Sequence, residues 1–219
     1  MSTSGKGPLS ACSGRLTRVA TILLLLLGGA RQGQATSYEA VTFNELVAKA
    51  DVIFVGDVLD VRPFTVSTPG GTLIKTRVTF LVRDALWGTT SSMESFEFLG
   101  GRVGKLGMQV SDMPTFSPGD RRVVFAKRER SINPIVGFSQ GLMRVARDGS
   151  GADAVQTVDG LPLVRTEDVG RGRGTRVRDG RPMPLAAFRA QIVDRLKERV
   201  PVWKLQRFVD GGATWSEGA

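Results

Sequence analysis

The 219-residue chain carries 30 basic and 21 acidic side chains, a formal charge of +9, with a single cysteine and no histidine. The missing histidine excludes Ser-His and Cys-His catalysis, histidine general bases and the familiar zinc sites. One cysteine excludes an internal disulfide, so any fold is held by packing alone.

Residues 1–18 include Lys6, Arg15 and Arg18 and no acid; an apolar run from Val19 to Leu27 follows, then Gly28-Gly29-Ala30, with small residues again at Gly33 and Ala35. This order predicts a secretory signal peptide over residues 1–35, cleaved after Ala35, and a secreted or periplasmic product. The run is shorter than the ~20 residues of a spanning helix, so no transmembrane anchor is expected after cleavage. Leu9-Ser10-Ala11-Cys12 spells a lipoprotein box, but it precedes the apolar run where it would not be read. The leader takes Cys12 and four basic residues with it, leaving 26 bases against 21 acids, a net +5. The exported part is long enough for one sizeable domain with its own core.

Thr42 and Glu45 stand three apart as a capping box, and Phe43, Leu46, Val47 and Ala50 share one face, predicting a short N-terminal helix. Asp51–Val61 is dense in β-branched residues and reads as a strand, bent or bulged at Gly56 and ended by Pro63. Thr65–Gly71 reads as a turn-rich connection. Thr72–Leu86 alternates as a long strand with Ile74, Val78 and Phe80 on its buried face, and Ser95–Leu99 is a third strand with Phe96 and Phe98 inward.

From Gly100 to Asp120 the chain reads as a long glycine-rich loop, pinned by Gly119-Asp120 to a strand at Arg121–Lys127. Pro134–Arg147 reads as a strand strongly bent at Gly137 and Gly141. Ala154–Val158 and Leu161–Val164, joined by Asp159-Gly160, form a candidate type I′ hairpin. Short strands with bent glycines predict a small closed or partly open barrel over residues 36–165. A Gly/Arg-rich linker is expected at 166–183, then an amphipathic helix from Pro184 to about Arg199 with Leu185, Phe188, Ile192 and Leu196 along one face, and an apolar tail to residue 219.

The order NELVAKA, DVIFVGDVLDV, TRVTFLVRDALWG, Gly-rich loop, GDRRVVFAK resembles the netrin-like OB-fold of tissue inhibitors of metalloproteinases over roughly Phe43–Lys127. With GFSQGLMRV and PLAAFRAQIVDRL included, the chain also resembles a family of uncharacterised exported bacterial proteins. The resemblance implies a mainly β, OB-like barrel with a short N-terminal and a C-terminal helix, and a protein partner such as an exported metalloprotease. Those inhibitors present an N-terminal cysteine and are stapled by disulfides. Here the mature end would be Thr36-Ser37-Tyr38.

Arg102, Lys105 and Met108 on the glycine loop, together with Thr36, Ser37 and Tyr38 at the mature end, are the candidate partner-binding residues, because long loops in compact domains tend to carry function. Arg171, Arg173 and Arg176, in the Arg171–Arg181 run, are candidates for binding an anionic polysaccharide or lipid surface of the cell envelope, the alternative role. No cofactor, no metal site and no nucleic acid partner are expected. Gly137-Phe138-Ser139-Gln140-Gly141 matches a nucleophile elbow in letters, but a strand follows in place of a helix and no histidine exists. Asp51, Asp57, Asp60 and Asp84 are the carboxylates from which an acid–base pair would have to come, a less favoured possibility. The expected function is a non-catalytic, exported binding module.

Overall fold

The computed structural model describes residues 39–129, 131–170 and 180–199. It opens with helix α1 (Phe43–Lys49), whose Thr42 hydroxyl accepts from the Glu45 N–H while the Glu45 carboxylate accepts from the Thr42 N–H, the reciprocal cap expected from the sequence. Strands β1 (Val52–Thr68) and β2 (Gly71–Trp87) form a long hairpin; β3 (Met93–Leu99) pairs with β2. A small ribbon of β4 (Gly101–Val103) and β5 (Leu106–Met108) stands apart. Strands β6 (Arg121–Ala126), β7 (Leu142–Arg147) and β8 (Asp153–Gln156) complete an antiparallel six-stranded sheet in the order β3-β2-β1-β6-β7-β8. A 3-10 turn at Thr166–Asp168 precedes helix α2 (Leu185–Arg199). The described chain is thus mainly β, with two α-helices.

Alternation of side chains along each strand builds a core on either face of the sheet. On one face Ile53, Val55, Val123, Phe125 and Val155 pack with Phe43, Leu46 and Val47 of α1 and Phe188, Ile192 and Leu196 of α2. On the other, Val52, Phe54, Val58, Val78, Phe80, Phe96, Phe98 and Val124 form an aromatic-rich core to which, among the described residues, no helix contributes. Arg199 joins the two helices, donating to the Val47 and Ala50 carbonyls at 2.9 Å, where α1 has carbonyls with no intrahelical partner.

The β1–β2 ladder is irregular. It steps from Ile53↔Trp87 to Phe54↔Ala85 and from Val55↔Asp84 to Gly56↔Val82, so Leu86 and Arg83 have no opposite residue; Leu59 is the unopposed residue on β1. These bulges turn Leu86 into the helix-side core although Val78 and Phe80 belong to the other. A Cβ at Gly56 would meet the Phe54 ring at 2.8 Å and the Leu81 carbonyl at 3.0 Å, which is why the bend predicted there carries glycine.

Several boundaries differ from expectation. Pro63 does not end β1, which runs on to Thr68, because β6 pairs only as far as Asp57 and an edge position tolerates a missing N–H. The connection predicted at Thr65–Gly71 shrinks to Pro69-Gly70. Residues 136–140 are turns, with Gly137 and Phe138 both at positive φ, so only Leu142–Arg147 of the predicted strand forms. The turn after β8 is a three-residue loop closed by Thr157 N–H to Leu161 O at 2.8 Å. Of its central residues only Gly160 has positive φ, whereas a type I′ turn requires two.

No strand ladder closes the sheet among the described residues. Its β3 edge is linked to the chain after β6 by a backbone hydrogen bond from Leu99 N–H to Ile132 O at 2.9 Å.

Candidate functional site

The segment after β3 is anchored at both ends and in the middle. Gly100 donates to the Ile74 carbonyl at 2.8 Å, and its own carbonyl accepts from the Thr76 hydroxyl at 2.7 Å. The chain then makes the β4–β5 ribbon, turning at Gly104-Lys105. Arg102 and Lys105 are exposed on it, as is Leu106 at 58%, while Met108 is half-buried at the base. What reads in sequence as one loop therefore carries secondary structure of its own.

Beyond the ribbon the chain returns over the open face of the sheet. The Phe116 ring lies 4.8 Å from Phe98 and 5.8 Å from Phe80, centre to centre, and Met113 packs on the same core. Between the ribbon and this returning segment is a trough of about 300 Å³ lined by Thr76, Phe98, Met108, Val110, Met113 and Phe116 among others. The far end is tied to β1 by Gly119 N–H to Val58 O and Val58 N–H to Asp120 O, both 2.8 Å.

Asp120 closes this loop. Its carboxylate accepts from Ser117 N–H at 3.1 Å and from Arg122 Nη2 at 2.7 Å. Burial pushes the Asp120 carboxyl up, but Arg122, the Ser117 N–H and the charge of Arg144 more than offset this and leave it below the ordinary carboxylate value. The Arg122 side chain is only 5% exposed, and its Nε and Nη1 have no partner among the described residues.

A second cleft, of about 480 Å³, lies where the β3 edge faces residues 127–129 and 131–134. Lys75, Arg77, Lys127 and Arg128 stand around it with Glu97 and Glu129, over Phe96 and Pro134. Alternation with Ile74 and Val78 puts Lys75 and Arg77 on the outer face of β2, and the chain leaving β6 brings Lys127 and Arg128 to the same cleft. A third cleft, about 550 Å³, separates α1 from α2 and includes Glu167, Asp194, Arg195 and Glu198.

Of the predicted binding residues, Arg102, Lys105 and Met108 are brought together on the ribbon. Thr36, Ser37, Tyr38, Arg171, Arg173 and Arg176 lie outside the described residues. The first described residues are held elsewhere: Gln140 accepts from Val41 N–H at 2.8 Å and donates to the Glu39 carbonyl at 3.1 Å, and Val41 packs on the helix-side core. The Gly137–Gly141 letters thus build a dock for the incoming chain. The four aspartates weighed for acid–base work do not meet one another. Asp57 and Asp84 are engaged by arginines at 2.7 Å, Asp60 lies 3.5 Å from Arg62, and Asp51 accepts from Arg128 N–H.

No protein-family model, no curated protein and no solved structure matches the chain. Among the described residues no helix is long and apolar enough to cross a membrane.

Proposed function

We propose that the protein is an exported, non-catalytic binding module built on an OB-like, netrin-module-like barrel, and that the β4–β5 ribbon is its contact surface for an exported protein. The observation that carries this reading is the ribbon's construction. Arg102, Lys105 and exposed Leu106 are displayed on a short hairpin within a segment whose two ends, and whose Phe116 ring, are fastened to the sheet. A contact surface held in one conformation loses less entropy on binding than a free loop does. A small hairpin that displays two cations and an exposed aliphatic side chain is suited to a protein surface with carboxylates and an apolar spot.

The OB-like reading is supported by the bulged, long β1–β2 hairpin and by the Leu99–Ile132 hydrogen bond that draws the β3 edge toward the chain after β6. Export is supported by the charged, apolar and small-residue order of residues 1–35. The resemblance to metalloproteinase inhibitors makes an exported metalloprotease the first partner to try.

The test is Arg102→Ala with Lys105→Ala, assayed by titration calorimetry against purified exported metalloproteases and by thermal unfolding. Affinity should fall about tenfold or more with the unfolding temperature unchanged. Unchanged affinity would remove the ribbon from the contact surface. Binding that collapses with added salt and transfers to an anionic polysaccharide would favour the envelope role of the Arg171–Arg181 run.

A further inference from the structure

The trough between the ribbon and the returning segment has fixed walls. They come from residues 98–101, 108–110 and 113–116, with Val61 and Thr76, and none of these side chains is charged. One wall is held at Gly100, by the Ile74 carbonyl and the Thr76 hydroxyl; the other is held where the Phe116 ring tilts onto Phe98 at 46°. In the ribbon ladder Gly101 is opposite Met108 and Val103 opposite Leu106, so alternation gives Val103, Leu106 and Met108 one face and Arg102 the other. Met108 lines the trough, so this apolar face carries the trough outward to exposed Leu106, and Lys105 stands at the turn where the face ends. Neither Arg102 nor Lys105 forms an ion pair among the described residues, and Asp112 is the one acid between Gly100 and Ser117.

We propose that the trough seats one aromatic side chain of the protein that the ribbon contacts, carried on an extended segment with a carboxylate about three positions away for Lys105. Such an anchor presupposes the ribbon as contact surface and specifies what the partner carries there. A volume of about 300 Å³ is at the small end for a ligand pocket and suits one bulky side chain rather than a cofactor. The lining favours an aromatic side chain over an aliphatic one: the Met108 and Met113 thioethers adapt in shape and attract ring edges, and the Phe98 and Phe116 rings stand with them. Anchors buried in a preformed pocket carry most of the energy of a protein interface. Met108 lies three residues from Lys105, so a strand following the ribbon's apolar face meets the trough first and the cation about 10 Å later. An unpaired cation at that point is complemented by an acidic residue.

The experiment uses the full chain with methyl-labelled methionine and three pentapeptides, Phe-Ala-Leu-Glu-Glu, Ala-Ala-Leu-Glu-Glu and Phe-Ala-Leu-Lys-Lys, followed by carbon–proton NMR titration. Ring currents from the first peptide should shift the Met108 and Met113 methyls, while Met143 and Met183, both in the helix-side core, remain unshifted. Replacing the phenylalanine by alanine, or the glutamates by lysines, should weaken binding about tenfold. Thr115→Trp, at an exposed position of the lining, fills the trough and should weaken the first peptide as much. The parent's methyl shifts decide the matter if that variant fails to fold. Silent Met108 and Met113 methyls, equal binding of the alanine peptide, or affinity indifferent to Thr115→Trp would each overturn the proposal. So would equal shifts with decanoate, which would assign the trough to an acyl chain. The peptides need no protein partner, which separates this outcome from the ribbon's. If they behave as stated and no exported protease binds, the trough stands and only the partner's identity falls; if a protease binds through Arg102 and Lys105 but ignores Thr115→Trp, the trough falls and the ribbon stands.

Discussion

Asp57 on β1 and Arg121 on β6 are opposite each other in the ladder, and their side chains meet at 2.7 Å, Oδ1 to Nε. The other carboxylate oxygen accepts from Arg83 Nε at 2.7 Å, and Arg121 continues to Asp153 at 3.0 Å, so one chain of charges crosses from β2 to β8. The Arg121 hydrogen bond is the largest influence on the Asp57 carboxyl. With Arg83 it outweighs the opposing effect of burial and holds the group below its ordinary value.

A carboxylate with a lowered folded pKa stabilises the fold above its unfolded pKa, and this stabilisation is lost as pH falls through the folded value. Asp57→Asn should therefore cost about 1–3 kcal/mol at neutral pH. Urea unfolding of variant and parent should show the gap intact at pH 7 and shrinking once pH drops below the ordinary 3.8.

At the start of α1, Glu45 is held first by the Thr42 N–H and then by Lys49, which lowers its carboxyl from the ordinary 4.5 to about 2. A carbon-detected NMR titration should place its midpoint near 2, and the cap's contribution should be complete above 4.5 and fade toward that midpoint. Thr42→Ala removes the hydroxyl acceptor and should cost about 1 kcal/mol by thermal or denaturant unfolding.

Asp120 and Arg122 should respond unequally to substitution. Asp120→Asn leaves a buried guanidinium without its carboxylate and should cost about 3–5 kcal/mol, whereas Arg122→Met leaves a carboxylate that is a quarter exposed and keeps the Ser117 N–H, and should cost less. Equilibrium urea unfolding of the two variants checks this. Equal losses would mean that the pair, rather than the orphaned charge, dominates.

Two glycines make a matched test. Gly88 has φ +69°, and an added Cβ there would run into the Asp51 carbonyl, so Gly88→Ala should cost on the order of 3 kcal/mol or more. Gly149 has nothing within 4 Å of a built Cβ, and Gly149→Ala should stay within about 0.5 kcal/mol of the parent in the same unfolding assay.

Neighbouring residues settle part of this fold. The Thr42–Glu45 cap, the Phe188-Ile192-Leu196 stripe of α2 and the inward Phe96 and Phe98 of β3 were all legible, since hydrogen bonds three residues apart and periods of 3.6 or 2 are local properties. Arg102 and Lys105 were also legible as displayed cations, because the glycines around them break longer strands. The tertiary structure alone decided the rest. Pro63 continues a strand because β6 stops short of it; Gln140 holds Glu39 and Val41 about a hundred positions away; Phe116 seats on Phe98; and Lys127 and Arg128, just after β6, line one cleft with Lys75 and Arg77. Each of these depends on which strands pair and where their ladders slip. Those choices follow from long-range burial on both sheet faces, a free energy shared by the whole core and recorded in no single stretch of chain.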